Sequence, residues 1–172
     1  DRIEAARGMA QMFGCSKVRK IVAGGASRQK SVLNGLSQLS EEDTKVVSVH
    51  DGARPCVTPA LISETVKTAK RAGSGVAAVK ITDTVKTVER GLTVTKTVDR
   101  TKLWAVQTPQ SFKFDVLVKA FDKVKKKKMT VTDEASAVEE VTDKVRLVPA
   151  NAANIKITNP DDLQLASALL KL

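Results

Sequence analysis

The chain has 172 residues, of which 42% are hydrophobic, and we predict a single domain over residues 1–172 with one buried core. A net charge of +10 would favour binding to a polyanion such as a nucleic acid. However, the chain has no Tyr, one Trp and four Phe, and so few aromatic rings on which bases could stack, and we expect no nucleic-acid partner. Two cysteines exclude a disulfide framework and argue against a zinc site, and no apolar run reaches membrane-spanning length. We therefore interpret the basic excess as solvated surface plus a site for a small phosphorylated ligand.

The amino-terminal third alternates predicted helices and strands. Residues 18–23 are typical of a strand, and a Gly24–Ser27 turn follows, with Ser27 as the N-cap of the next helix. Glycines between a strand and a helix expose backbone amides, which can contact a base or a phosphate, although such glycines are more often only steric. Apolar residues fall on one face of the first predicted helix, at Ile3, Ala6, Met9, Ala10 and Phe13. In the second helix we expect Val32, Leu33, Leu36 and Leu39 to face the core.

A β-branched run over residues 46–49 leads into the sequence His-Asp-Gly-Ala-Arg-Pro, which predicts a buried strand with Asp51 at its carboxyl tip. Open α/β sheets bind ligands outside this end of their strands. Asp51 can hold a divalent cation and Arg54 can fork onto a phosphate, which together suit a nucleotide and its metal. The alternative is an Asx turn followed by a proline that stops the strand.

The central region is predicted to add a helix, a strand and a ribbon. Thr58 and Pro59 are typical of an N-cap and a first helical residue, and residues 75–79 of a short strand. We expect the helix to pack on the sheet through Ile62, Val66 and Ala69. From about residue 80 to 104, Thr and Val alternate with charged residues around a turn at residues 89–91, which predicts a two-stranded arm.

In the last third, residues 108–110 are predicted to lead into a helix over 114–124, and Thr132 to cap a helix whose two first-turn carboxylates could face a cation. Residues 145–148 are typical of a strand. In the segment 154–158, Lys156 lies between two isoleucines and is expected to point away from the core. Asn159 and Pro160 are predicted to open the final helix as N-cap and first residue.

These motifs occur together and in one order, and none is decisive alone. The series is Gly24-Gly25 with Ser27-Arg28-Gln29 and Ser31, His50 to Pro55, Asp83 to Lys86, Thr97 to Arg100, Leu103-Trp104, Thr108 to Gln110, Thr132 to Ser136 and Asn154 to Thr158. From about residue 18 to the end, the chain resembles the 2-C-methyl-D-erythritol 4-phosphate cytidylyltransferases of the non-mevalonate isoprenoid pathway. The resemblance implies a three-layer α/β/α nucleotidyltransferase sandwich with a protruding β-arm.

The resemblance also implies site residues for the nucleotide CTP. The Gly-Gly turn and the serine of the following helix contact the cytosine and ribose in this family. The aspartate of the His-Asp motif binds the Mg²⁺ or other divalent cation of the nucleotide, which makes Asp51 the metal ligand here. The implied nucleotide-binding residues are Gly24, Gly25, Ser31, Asp51 and Gly52.

For the second substrate, methylerythritol phosphate, Arg54 is implied near the pocket and Lys156 holds and orients the attacking phosphate. Family members are homodimers whose arms embrace, and an arm threonine and arginine reach the partner's site, which here are Thr84 and Arg100. The implied catalytic residues are Lys156 and Arg100, and the implied substrate-binding residues are Arg54, Thr84, Arg100, Thr108, Thr132, Lys156 and Thr158. No membrane partner is expected.

The sequence departs from the family at three places. Gly52 replaces a usual alanine or serine, Ala26 replaces an aspartate found in some members, and the glycine-rich triphosphate loop of the family is not found. The last departure predicts that the first strands are missing, that Asp1 marks a truncated sequence, and that the fragment is poorly active. We expect a bacterial cytoplasmic protein, or a plastid protein if a transit peptide precedes the sequence.

Two other functions stay open at this point. A cytidylyltransferase for another polyol phosphate, such as ribitol 5-phosphate, shares most of the framework. The chain could also be a non-catalytic dimerising remnant that keeps the arm and lacks the triphosphate loop.

Overall fold

A computed structural model describes residues 2–171. The helices are α1 Arg2–Met12, α2 Arg28–Leu36, α3 Pro59–Ala72, α4 Phe114–Lys126, α5 Glu134–Glu139 and α6 Asp161–Leu170. The strands are β1 Val46–Val49, β2 Ser74–Lys80, β3 Val85–Val88, β4 Val94–Val98, β5 Trp104–Lys113 and β6 Leu147–Pro149. Over the described residues, no helix is long and apolar enough to cross a bilayer.

Four strands form the main sheet in the order β1-β5-β2-β6. β5 pairs antiparallel with β1 and β2, while β2 and β6 run parallel. α3 packs on β2 and β5 from one face, and the main core lies on the other face, against α2, α4 and α5. This layering is the expected α/β/α sandwich.

The main core contains side chains at helical spacing on α4 and alternate side chains of the central strands. Val76 of β2 and Phe112 of β5 have no exposed surface and contact this cluster. From α4 and α5 they meet Leu117, Ala120, Phe121, Val124, Ala137 and Val138. The predicted helix over 114–124 is therefore confirmed, because its apolar positions recur every three or four residues and bury together.

The face of the sheet under α3 is packed by small and polar groups, which corrects one prediction. A Cβ at Gly75 would overlap the carbonyl oxygen of Thr65, so helix and strand touch backbone to backbone. Ser111 Oγ donates to Thr65 Oγ1 at 3.0 Å. Of the positions predicted to pack here, Ala69 is buried, Val66 is half-buried and Ile62 is 39% exposed. The contact instead uses Thr65 and Thr68, because the strands offer no large side chain to pair with isoleucine.

The strand β5 replaces the predicted lead into α4 over residues 108–110 and contains Pro109, a residue that is rare in central strands. In the structure the Thr108–Pro109 peptide bond is cis, and the ladder with β2 shifts between the pairs Val76–Gln110 and Ala78–Val106. The proline lies inside this irregularity, where no ladder N–H is needed. Trp104, expected at the end of the arm, instead pairs with Lys80 in the main sheet.

The first 45 residues differ most from expectation. α1 forms as predicted, but it buries none of its residues, and Met9 and Phe13 are 55% and 73% exposed. Residues 18–23 form no strand, and Val18 and Val22 remain exposed. A strand needs a hydrogen-bonded neighbour, and the sheet has no partner for this segment in the described chain. Leu39 lies beyond the end of α2 and is also exposed, whereas Leu36 is buried.

The predicted arm is confirmed as an antiparallel ribbon of β3 and β4. A 3-10 turn over Arg90–Leu92 joins the strands, and Gly91 has a φ of 71° that suits glycine. Large apolar side chains along the ribbon are exposed, namely Val88, Leu92 and Val94. The ribbon therefore presents apolar surface to solvent within this chain.

Three predicted boundaries shift. α5 begins at Glu134 with Asp133 as N-cap, so Thr132 is not the capping residue: Asp133 Oδ1 accepts from the N of Ser136 at 2.9 Å. β6 covers Leu147–Pro149 rather than 145–148. α6 begins at Asp161, with Asn159 Oδ1 accepting from the N of Asp162 at 3.2 Å. At α5 the shift arises because two capping residues, Thr132 and Asp133, stand side by side, and shifts of one or two residues are ordinary at the ends of elements.

Candidate active site

Asp51 lies in the turn after β1 and is surrounded by cationic side chains. Lys156 Nζ lies 3.1 Å from Asp51 Oδ2, Arg54 Nε lies 3.6 Å from the same oxygen, and Arg28 Nε lies 3.4 Å from Oδ1. The backbone N of Asp51 donates to Thr108 Oγ1 at 2.9 Å. The carboxylate is therefore contacted from four parts of the fold, namely β1, β5, α2 and the segment before α6. Of the residues predicted for the site, the structure brings together Asp51, Arg54, Thr108 and Lys156.

Charge outweighs burial at this carboxylate. Burial alone would raise the pKa of Asp51, but the hydrogen bond and charge of Lys156, followed by those of Arg28, hold the pKa below its ordinary value. Asp51 is therefore ionised at neutral pH. The cluster presents fixed positive charge around a single anionic group.

Arg54 is anchored from both sides. Its Nη1 donates to the carbonyl of Asn154 at 2.8 Å, while burial, opposed by the Asp51 charge, lowers its guanidinium pKa. An arginine stays charged in proteins despite such a shift. His50 supports the same loop, with Nδ1 3.0 Å from Thr108 Oγ1 and Nε2 3.1 Å from the Arg54 carbonyl oxygen. This pattern is satisfied when Thr108 donates to Nδ1 and Nε2–H donates to the carbonyl.

The segment carrying Lys156 is fixed by an asparagine that sequence reasoning gave no role. Asn154 is 2% exposed, and its Nδ2 donates to the Thr108 carbonyl at 2.9 Å and to Gln107 Oε1 at 2.8 Å. The N of Ile157 donates to the Ala53 carbonyl at 2.8 Å. Both isoleucines are half-buried and Lys156 is exposed, which confirms the predicted orientation, although the segment is not part of a sheet.

Arg28 and Glu134 were also missed as a pair. Arg28 Nη1 and Nη2 lie 2.7 and 2.8 Å from the two carboxylate oxygens of Glu134, whose side chain is 1% exposed. The hydrogen bonds to Glu134 raise the pKa of Arg28 further. The expectation that a first-turn carboxylate of α5 faces a cation is met by this arginine. The local sequence marks each residue as a helix start, but not the contact between them.

The Gly-Gly turn packs against the start of α2. The N of Gly25 donates to Ser31 Oγ at 3.0 Å, and Ser31 Oγ donates to the Ser27 carbonyl at 3.1 Å. A Cβ on Gly25 would overlap Lys30, and one on Gly24 would lie 3.1 Å from Ser31 Oγ. Gly25 is thus required sterically, whereas a side chain at Gly24 would only crowd the Ser31 hydroxyl. A Cβ on Gly52 would meet nothing within 4 Å, so this glycine carries no such requirement.

The remaining predicted residues lie outside the Asp51 cluster. Thr132 Oγ1 lies 3.4 Å from Ser136 Oγ, and Thr158 Oγ1 donates to Asp162 Oδ2 at 2.9 Å. Thr84 and Arg100 are exposed at the base of the ribbon, and Arg100 forms no ion pair within residues 2–171. Their roles in binding stay predictions.

The donor set around Asp51 can hold a metal only in a limited way. Among the described residues, no group of three or more His, Cys, Asp or Glu side chains could form a protein cage. A lone carboxylate fits Mg²⁺, which commonly binds one or two carboxylates and keeps its remaining positions for water and phosphate oxygens. The cations nearby fit phosphate as well.

Comparison with known proteins identifies the family. Residues 3–172 match the family model IspD, 2-C-methyl-D-erythritol 4-phosphate cytidylyltransferase. The enzyme of that name from Syntrophus aciditrophicus is 44% identical over 159 residues, covering 92% of this chain and 68% of the relative. That from Alkaliphilus oremlandii is 40% identical over 161 residues, covering 94% of this chain and 68% of the relative.

Solved structures show the same relationship. The cytidylyltransferase from Thermus thermophilus superposes with a TM-score of 0.80 at 35% identity, covering 88% of this chain and 72% of that one. The Francisella tularensis structure gives 0.79 at 38% identity, covering 89% and 73%. The chain therefore belongs to the 2-C-methyl-D-erythritol 4-phosphate cytidylyltransferase family.

Proposed function

We propose that the protein transfers the cytidylyl group of CTP to 2-C-methyl-D-erythritol 4-phosphate, giving 4-diphosphocytidyl-2-C-methyl-D-erythritol and pyrophosphate. The observation that carries the proposal is the convergence of Lys156, Arg54 and Arg28 on Asp51, in a chain of this family. An oxygen of the substrate phosphate attacks the α-phosphorus of CTP, and the bond to the pyrophosphate oxygen breaks. Two polyanions must meet for this step, so fixed positive charge is the main requirement.

Lys156 is proposed to hold the attacking phosphate and to stabilise charge at the reacting centre. Its side chain is 43% exposed, so it can turn from Asp51 to a phosphate without rearranging the fold. Arg54 adds a partly buried, permanently charged fork beside it. Thr108, Thr132 and Thr158 are proposed to line the substrate pocket, and Gly24, Gly25, Ser31 and Gly52 the nucleotide pocket.

Asp51 is proposed to be the protein ligand of Mg²⁺ or another divalent cation. When bound, the cation would neutralise charge on the nucleotide phosphates. The chain's own contribution is to keep Asp51 ionised through the hydrogen bonds and charges of Lys156 and Arg28, and to orient it through the hydrogen bond from its backbone N to Thr108 Oγ1.

A homodimer formed through the ribbon is proposed as the working unit, with Thr84 and Arg100 serving the partner's site. The exposed Val88, Leu92 and Val94 support this, because apolar ribbon side chains gain from being covered. A cytoplasmic location is proposed too, in keeping with two free cysteines.

The test is pyrophosphate release from CTP, magnesium and methylerythritol phosphate, by the protein expressed from its complete reading frame. Lys156→Ala should lower turnover about a hundredfold or more, because a preorganised charge at the reacting phosphate is lost. Lys70→Ala, which removes an exposed lysine of α3, is the matched control and should leave turnover unchanged.

Activity with ribitol 5-phosphate and none with methylerythritol phosphate would contradict the assigned substrate. Absence of cytidylyl transfer to either acceptor would instead favour the non-catalytic dimerising role. An equal loss of turnover in the Lys156 and Lys70 variants would contradict the role proposed for Lys156 at the reacting centre.

A further inference from the structure

Glu134 is a buried carboxylate that forms an ion pair with Arg28. Its side chain is 1% exposed, and both of its oxygens accept hydrogen bonds from Arg28, at 2.7 and 2.8 Å. Burying a carboxylate is costly unless its partner is well placed, so such a pair marks a position where both members are needed. Glu134 itself makes no ion pair with Lys156 or Arg54 in the described chain.

The residues on either side of Glu134 are fixed to the central strand β5. Gln110, 1% exposed, donates from Nε2 to Asp133 Oδ2 at 2.8 Å and accepts at Oε1 from the N of Ala135 at 2.9 Å. Two residues earlier on the same strand, Thr108 Oγ1 accepts from the N of Asp51 at 2.9 Å. Glu134, Arg28 and Asp51 contact one another in that order, and the strand β5 holds the residues at both ends of this chain of contacts.

The geometry of Arg28 decides how it meets Asp51. Both terminal nitrogens of its guanidinium are held by Glu134, which leaves only Nε toward Asp51 Oδ1, at a long 3.4 Å. A free guanidinium would prefer to grip a carboxylate with two parallel hydrogen bonds. If Glu134 lost its charge, the fork of Arg28 would turn onto Asp51 and cover the oxygens that a nucleotide-bound cation requires.

We propose that Glu134 is a positioning residue of the nucleotide site. It holds both terminal nitrogens of Arg28, so that only the long Nε contact reaches Asp51 Oδ1 and this oxygen stays accessible to a cation that the nucleotide brings. This rests on the proposed function for the identity of the nucleotide. Glu134 touches no reacting atom and acts only through Arg28.

The experiment compares Glu134→Gln with Glu139→Gln, a control on the same helix whose side chain is exposed. Glu134→Gln keeps the size and an acceptor oxygen and removes the charge. We expect it to raise KM for CTP by about tenfold to a hundredfold, the range for residues that orient a metal ligand, with kcat changed less than about threefold. Glu139→Gln should match the wild type, and both variants should unfold cooperatively in urea.

A second variant tests the route through Arg28. Arg28→Lys retains a positive charge for the buried Glu134 but has no fork that could cover Asp51, so it should raise KM for CTP less than Glu134→Gln does. Adding Glu134→Gln to it should raise KM less than about twofold further, since residues acting in series are not additive. The proposal would be overturned if the two substitutions multiplied each other's effect on KM in the double variant. An unchanged KM for CTP in Glu134→Gln, or a loss confined to kcat, would also overturn it.

Binding of CTP with magnesium, measured by calorimetry, separates this inference from the proposed function. A wild type that binds CTP but releases no pyrophosphate overturns the proposed function, and weaker binding by Glu134→Gln still supports the positioning role. Equal binding by wild type and Glu134→Gln overturns the positioning role alone. A wild type that binds no CTP overturns both.

Discussion

Asp162 ties the last helix to the segment that carries Lys156. Its Oδ2 accepts hydrogen bonds from the N of Thr158 at 2.8 Å, from Thr158 Oγ1 at 2.9 Å and from the N of Asn159 at 3.1 Å. The backbone hydrogen bond from Thr158, followed by that from its hydroxyl, holds the pKa of this carboxyl below the ordinary value of 3.8. Because the folded state favours the carboxylate, the Asp162 contribution to stability is complete above that ordinary value and is lost as pH falls through the lower folded pKa.

Asp162→Asn should therefore make the free energy of unfolding depend less on pH in the acid range. We expect the free energy of unfolding of the wild type to fall on going from about pH 6 to about pH 3, and the variant to lose less over the same range. Urea unfolding at several pH values measures this. Asp161→Asn, at the neighbouring position of α6, is the control, and an equal flattening in that variant would contradict the assignment to Asp162.

Contact between elements depends on glycine at one point of the sheet. Gly75 of β2 lies under α3, and a Cβ there would overlap the Thr65 carbonyl and press on Thr68 at 3.0 Å. Neither backbone can yield without moving the helix. The hydroxyl pair of Ser111 and Thr65 at the same interface would be disturbed as well.

Gly75→Ala should lower the free energy of unfolding by about 1–3 kcal/mol, the usual cost of overpacking. Gly35→Ala is the matched control, since Gly35 lies in α2 with nothing within 4 Å of its Cβ position. The control should be neutral or should stabilise by about 0.5–1 kcal/mol, as alanine favours a helix. Urea unfolding measures both, and a stabilised Gly75 variant would show that α3 does not rest on β2 so closely.

For the whole molecule, the proposed dimer predicts that two inactive variants can complement each other. If Arg100 serves the partner's site while Lys156 serves its own, a dimer of one Arg100→Ala chain and one Lys156→Ala chain contains one intact site. Co-expression of the two variants should then recover about a quarter of wild-type turnover, since half of the dimers are mixed and each has one of two sites intact.

The control pairs Arg100→Ala with the double variant Arg100→Ala and Lys156→Ala, in which no combination completes a site. Pyrophosphate release measures each mixture after purification. No recovery in the complementing pair, when each variant alone is inactive, would place Arg100 in its own chain's site. Recovery in the control would show that turnover does not require Arg100 at all.

The sequence by itself determined the local elements and most of the residues that meet at Asp51. Ser27 and Thr58 cap α2 and α3 as predicted, because a cap acts on amides two or three residues away and needs no tertiary partner. The order of motifs led to the family for the same reason: each motif is a short stretch. Asp51, Arg54, Thr108 and Lys156 were found in this way.

Only the tertiary structure decided the long-range pairings. Arg28 and Glu134 lie 106 positions apart, and nothing in the pattern around either residue indicates the other. β5 escaped prediction because its proline is harmless only inside an irregularity that the pairing with β2 creates. Residues 18–23 failed as a strand for the converse reason, since strand propensity forms no sheet without a neighbour. Local chemistry sets helices and turns, whereas pairing across the chain sets the sheet and the charges around Asp51.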